Sequence, residues 1–163
     1  SITDAGINKQ IVKVGDKIIE EENLLVQVVG VQQSSNEEDN VNYQSIMIRI
    51  VYEDVAYMFT GDAGYREGDC ENIALNSGLE LKSNVLKVGH HGSMYSSGNQ
   101  FLNAVKPEIA IITTSKDTET GHPHEQALNR LNRVNAEIYQ SAIHGTITVS
   151  SNGKIIYIVT EKN

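Results

Sequence analysis

Five residues whose side chains suit metal or acid–base chemistry follow three predicted strands, at the point where each strand ends. The strands are predicted over 55–60, 85–88 and 109–113. The residues are Asp62, His90, His91, His122 and His124. Imidazole nitrogens and carboxylate oxygens are the usual non-thiolate ligands of zinc, and they also suit manganese and iron. These residue types therefore indicate a divalent-metal site, in which a bridging carboxylate would allow two ions.

The elements that must position these residues alternate between strands and helices. The three strands are followed by helices that are predicted to end near Gly78, to span 98–105 and to end near Asn135. In such an alternation the carboxyl ends of the strands gather at one edge of the sheet, where open α/β proteins bind ligands. We therefore expect the side chains of Asp62, His90 and His124 to share one pocket.

The rest of the chain is predicted to form hairpins around this unit. Residues 32–42 are polar and without periodicity, which predicts an exposed loop. Further strands are predicted over 11–14, 17–19, 24–31, 45–51, 137–139, 146–150 and 154–160. The expected fold class is mixed α/β (α+β), with one mixed sheet and helices on one of its faces.

Each candidate residue also has a purely structural interpretation. Asp62 could cap the helix that follows it, the adjacent histidines could be turn residues, and Pro123 could make the third segment a rigid turn. Ser93 has two interpretations, because its hydroxyl could bind a phosphate or carboxylate of a substrate or simply cap the next helix. We expect His144 to be structural and the lone Cys70 to be a buried core residue.

The charge of the chain argues against one class of function. The 163 residues have a formal net charge of -8 and a pI of about 5.0, which disfavours broad, charge-driven binding of nucleic acid. A bound dication would nevertheless reverse the sign of a local pocket. No apolar run approaches the ~18 residues of a membrane helix, and one cysteine cannot form an intrachain disulfide.

Three motifs resemble those of the metallo-β-lactamase-like hydrolase domain of ComEC-type DNA-uptake (competence) proteins. They are Thr-Gly-Asp-Ala at 60–63, Leu-Lys-x-x-His-His-Gly-Ser at 86–93 and Gly-His-Pro-His at 121–124. The resemblance implies an αββα sandwich with one or two zinc or manganese ions at its rim. It implies hydrolysis by metal-activated water, with a DNA strand as the substrate during uptake.

The same resemblance implies roles for individual residues. Asp62 matches a metal ligand, and one of His90 and His91 matches another; we favour His90 because it directly leaves the strand. His122 and His124 match a loop that lies near the metal, so they are the candidate catalytic residues. Ser93 remains the candidate substrate-binding residue.

One motif of that family does not occur in this chain. The family's His-x-His-x-Asp-His motif precedes the matched region, but no histidine occurs before His90. We therefore interpret residues 1–163 as a partial domain, the C-terminal half of the sandwich, and as a piece of a longer, membrane-anchored or exported bacterial protein. Two hypotheses follow: a fragment of a metal-dependent hydrolase that is inactive alone and binds metal weakly, or a non-catalytic half-domain that serves as a binding module.

The missing half also predicts a partner. Strands such as 24–31 and 46–50 carry apolar residues that would face the other sheet of a complete sandwich. A large uncovered apolar face is unusual on a monomer. We therefore expect a homodimer formed through this face, with DNA as a further partner and no membrane contact from this chain itself.

Overall fold

The computed structural model describes residues 10–31, 45–66, 68–116 and 119–162, which form two sheets and four helices. The strands are β1 (Lys17–Glu20), β2 (Leu24–Val31), β3 (Ile46–Tyr52), β4 (Val55–Phe59), β5 (Val85–Lys87), β6 (Ile109–Ile112), β7 (Glu137–Gln140), β8 (Ile147–Ser151) and β9 (Ile156–Thr160). The helices are α1 (Cys70–Asn76), α2 (Asn99–Val105), α3 (Glu125–Arg133) and the single turn α4 (Ser141–His144). The predicted combination of a mixed sheet with helices is confirmed.

The larger sheet has its seven strands in sequence order, β1 to β7, and it changes character at β4. The first four strands pair antiparallel. Short turns join β1 to β2 and β3 to β4, as is usual for antiparallel neighbours. From β4 onward each strand pairs parallel to the next, because α1, α2 and α3 return the chain to the starting edge. The carboxyl ends of β4, β5 and β6 therefore lie side by side. The smaller sheet is the antiparallel hairpin of β8 and β9, as predicted.

One face of the large sheet packs against the helices. Cross-strand pairing aligns Met58, Leu86, Ala110 and Ile138 in one row of that face. Met58, Leu86 and Ala110 belong to the buried core together with helix residues such as Ala74, Phe101, Leu102, Val105 and Leu131, and the half-buried Ile138 packs against it. The core fixes the strand ends, and hence the loops that carry the candidate site.

The opposite face is only partly covered. Pairing aligns Ile48, Phe59, Lys87 and Ile111 on it, and the Phe59 side chain is 44% exposed. Some residues of this face, such as Val85, are nevertheless buried. The expected uncovered apolar surface is therefore present in part.

One predicted strand is wrong. Residues 11–14 form no strand, and Ile11 is 77% exposed. The Lys13 N–H donates to the Asp16 carboxylate at 2.8 Å, and the Gly15 N–H donates to the Val28 carbonyl at 2.8 Å. This turn begins β1, so the preceding residues have no partner strand within the described part of the chain. The predicted loop over 32–42 lies outside the described residues.

Two further expectations concern single features. Cys70 is fully buried, as predicted, and its thiol contacts the Ser45 carbonyl oxygen at 3.1 Å. None of the described helices has both the length and the apolar character that crossing a bilayer requires.

Candidate functional site

The first two motifs lie together at the carboxyl edge of the parallel strands. The Thr60 hydroxyl donates to the Lys87 carbonyl at 2.8 Å, which ties the end of β4 to the end of β5. The His90 N–H donates to the Gly61 carbonyl at 3.0 Å. The Asp62 N–H donates to the Ser45 hydroxyl oxygen at 3.0 Å, so the turn is fixed from both sides.

The two adjacent histidines occupy a short 3-10 turn, Gly89–Gly92, with an unusual backbone. His90 has φ 47° and ψ 47°, and His91 has φ 54° and ψ 24°. Left-handed backbone costs a residue with a Cβ about 1–2 kcal/mol. Strain of this kind concentrates at functional sites. Two consecutive histidines held in this way are consistent with the predicted role of this turn, which stays a prediction.

His91 and Asp62 form the pair best suited to a metal ion. The His91 Nε2 lies 3.9 Å from the Asp62 Oδ1, and both side chains remain partly exposed. The His91 Nδ1 lies 2.5 Å from the Thr113 carbonyl oxygen, which can only accept. Nδ1 therefore carries a proton, so in a neutral ring Nε2 is the unprotonated nitrogen that could bind a metal ion. A backbone carbonyl on the second ring nitrogen is the usual support of a histidine ligand.

The remaining histidines form a row beside this pair. The rings of His90 and His122 meet edge to face with centroids 5.4 Å apart, and those of His122 and His124 with centroids 4.7 Å apart. Burial lowers the pKa of His122, and the neighbouring imidazoles lower it further, whereas Asp62 opposes the change. These effects favour the neutral form of His122.

Gly92 joins the second motif to the third. Its carbonyl accepts the His124 N–H at 2.9 Å, and a Cβ built on Gly92 would lie 2.6 Å from the Cβ of Pro123. Its φ is +82°, so both the close approach and the conformation require glycine. The Met94 N–H donates to the His124 Nδ1 at 3.2 Å. The neutral ring of His124 therefore carries its proton on Nε2.

The structure thus brings the five candidate residues into one region, through the pairs Asp62–His91, His90–His122 and His122–His124. Two of the five, His91 and His122, line a cavity of about 250 Å³ together with Thr113, Thr114, Ser115 and Thr120. The expected pocket shared by Asp62, His90 and His124 stays a prediction. The geometry favours His91 over His90 as the partner of Asp62, the reverse of the order expected from the sequence. His144 is separate from this region: its Nδ1 accepts the Gln140 N–H at 3.0 Å, in keeping with a structural residue.

Ser93 is only 3% exposed, and its hydroxyl accepts the Tyr95 N–H at 3.3 Å. This contact closes a local turn and does not cap α2, which begins after Gly98 without a side-chain cap. The substrate-binding role of Ser93 stays a prediction.

The donor set fits a metal ion in part. Two ligands of one zinc ion are each about 2.0–2.2 Å from it, so Asp62 and His91 need only a small adjustment to share an ion. Within the described ranges no group of three or more His, Cys, Asp or Glu side chains is arranged to hold a metal. Asp62 and His91 could supply at most two coordination positions, and their role as metal ligands stays a prediction.

Three residues that contribute to the site, Ser45, Lys87 and Thr113, were not predicted as site residues from the sequence. Thr113 and Ser45 act through a carbonyl and a hydroxyl that bind the predicted residues. Lys87 belongs to a recognised motif, yet no role was assigned to it. Its ammonium group donates to the Gly61 carbonyl at 3.4 Å; burial lowers its pKa, and nearby Asp62 opposes this.

The comparison with known proteins agrees with part of the resemblance. No family model matches the chain. It is 33% identical to "ComE operon protein 3" of Bacillus subtilis over 106 residues, which are 65% of the chain and 13% of that protein. It is 34% identical to "Competence protein ComA" of Neisseria gonorrhoeae over 106 residues, 65% of the chain and 15% of that protein. It is 31% identical to "Recombination protein 2" of Haemophilus influenzae over 93 residues, 57% of the chain and 11% of that protein.

The matched part therefore spans between 11% and 15% of the length of these curated relatives. The predicted resemblance to competence proteins of the ComEC type is confirmed over that part of the chain.

Proposed function

We propose that this chain is part of a metal-dependent hydrolase domain of the metallo-β-lactamase type, which acts on phosphodiesters of DNA during uptake. The observation that carries the proposal is the pair formed by Asp62 and His91, whose Oδ1 and Nε2 atoms lie 3.9 Å apart at the carboxyl edge of parallel strands. The similarity to competence proteins supports DNA as the substrate class.

In this proposal Asp62 and His91 hold a zinc or manganese ion. The ion, when bound, supplies Lewis-acid activation of water and of a phosphoryl oxygen. The Thr113 carbonyl holds the His91 ring in the tautomer that leaves Nε2 unprotonated. The two residues provide too few ligands for a complete site. The remaining coordination positions of the ion would therefore be filled by water or by other parts of a longer protein.

The other histidines would act on the substrate. Because the His124 Nδ1 accepts the Met94 N–H, the Nε2–H of a neutral His124 can donate to a phosphoryl or leaving-group oxygen. The neutral form of His122 is favoured, because burial and the adjacent imidazoles lower its pKa. The hydroxyl-lined cavity between His91 and His122 would receive the phosphate.

The test is a calorimetric zinc titration of the chain. We expect weak binding by the wild type, and at least about tenfold weaker binding by Asp62→Ala and His91→Ala. His144→Ala is the matched control, because it removes an imidazole outside the site. Circular dichroism verifies that each variant folds. Unchanged zinc affinity in both Asp62→Ala and His91→Ala would refute the metal site.

A second function, a non-catalytic binding module, is favoured by the lack of a third grouped ligand within the described ranges. It predicts that neither Asp62→Ala nor His91→Ala alters zinc affinity, and that a fluorescent single-stranded DNA binds equally well with and without zinc.

A further inference from the structure

Two ionisable side chains from different helices bind the backbone of the loop formed by residues 94–98. Glu71, in α1, is 1% exposed, and its carboxylate accepts the Ser97 N–H at 2.5 Å and the Gly98 N–H at 2.8 Å. Ser97 has a positive φ of 52°, so the two successive N–H groups converge on the carboxylate. A buried carboxylate with two backbone donors fixes this end of the loop.

Arg130, in α3, binds the same loop through its carbonyls. Its Nε donates to the Ser97 carbonyl at 2.8 Å, and its Nη2 donates to the Met94 carbonyl at 3.0 Å and the Ser96 carbonyl at 2.8 Å. A planar guanidinium with several donors is suited to such a set of acceptors, and lysine is not equivalent there. Glu71 and Arg130 together therefore satisfy five backbone groups within residues 94–98.

This loop is connected directly to the candidate site. It follows the 3-10 turn of the two histidines, and the Ser96 hydroxyl donates to the Gly89 carbonyl at 2.7 Å. The Met94 N–H is the donor to the His124 Nδ1. The carbonyl of the same Met94 is bound by Arg130. The position of Met94 therefore determines which nitrogen of His124 carries the proton.

We propose that Arg130 and Glu71 are positioning residues, which hold residues 94–98 so that the Met94 N–H sets the tautomer of His124. This role rests on the function proposed above. In that function, the two residues keep the Nε2–H of His124 available as a donor to the substrate.

The test uses NMR spectra that correlate each ring nitrogen of histidine with the ring protons. In the wild type at a pH where the rings are neutral, we expect a proton on Nε2 of His124 and on Nδ1 of His91. In Arg130→Met we expect His124 to become a mixture of tautomers. His91 should be unchanged, because the Thr113 carbonyl and not the loop binds it. Arg133→Met, in the exposed last turn of α3, is the matched control.

The outcomes separate this proposal from the function above. A folded Arg130→Met with the His124 tautomer of the wild type would overturn the proposal. If that variant does not fold, Arg130→Lys and Glu71→Gln provide the same test, and an unchanged His124 in both overturns it. A wild type that binds no zinc would remove the proposed metal site, whereas the His124 spectra would still report on positioning.

Discussion

The contact between Gly92 and Pro123 allows one prediction to be worked out in detail. In Gly92→Ala the new Cβ would lie 2.6 Å from the Cβ of Pro123 and 3.1 Å from its Cα, a distance that forces atoms to shift. Overpacking of this kind costs about 1–3 kcal/mol. The positive φ of +82° adds about 1–2 kcal/mol for a residue with a Cβ. We therefore expect the free energy of unfolding to fall by about 2–5 kcal/mol.

Gly121→Ala is the matched control. Gly121 begins the motif that contains Pro123 and also has a positive φ, +69°, but nothing lies within 4 Å of a Cβ built on it. Its cost should therefore be only the conformational part, about 1–2 kcal/mol. The assay is urea unfolding, in which equal slopes permit the midpoints to be compared as stabilities. Equal destabilisation by the two substitutions would refute the steric argument, because the backbone cost alone would then explain both.

Three further predictions concern pH, association and activity. Burial raises the pKa of Glu71 from 4.5 to about 7, so the folded state binds a proton more tightly than the unfolded state. Between pH 4.5 and pH 7 the free energy of unfolding of the wild type should therefore fall by about 3 kcal/mol relative to that of Glu71→Gln. The measurement is urea unfolding of both proteins across this range, and parallel pH profiles would contradict the prediction. Sedimentation at micromolar concentration should show that the wild type is a dimer. Phe59→Glu should dissociate this dimer, whereas Ile143→Glu, which changes an exposed residue of α4, should leave it intact. A monomeric wild type would contradict the predicted interface. The chain with zinc or manganese should not hydrolyse bis(p-nitrophenyl) phosphate, because two ligands leave an ion poorly positioned, and turnover abolished by Asp62→Ala would show that the site is complete.

Much of the fold could be predicted from the sequence because its signals are local. The apolar run over 24–31 coincides with β2, and the alternation of strands and helices places the candidate histidines at one edge. The error at residues 11–14 has a physical reason. Alternating apolar residues favour a strand, but a strand also needs a neighbour, and the turn at Gly15 pairs only the following residues with β2.

The site could be predicted less completely than the fold. The choice between His90 and His91 depends on the left-handed backbone of both residues, which the sequence pattern does not encode. Glu71 and Arg130 were missed because their partners are backbone groups 26 to 36 positions away. The sequence offered one signal for Arg130: a charged residue lies beside buried Ala127 and Leu131 on α3.

The backbone of the 3-10 turn has a consequence for how sequences of this kind diverge. Glycine adopts the conformation of residues 90 and 91 without steric cost, and asparagine tolerates it better than histidine does. Selection for stability alone would therefore replace both His90 and His91 and leave the sheet intact. A homologous domain that kept the fold but no longer needed the imidazoles should drift towards Gly or Asn at these two positions before its core changes. The residues found at positions 90 and 91 in homologous domains would thus distinguish selection for chemistry from selection for folding.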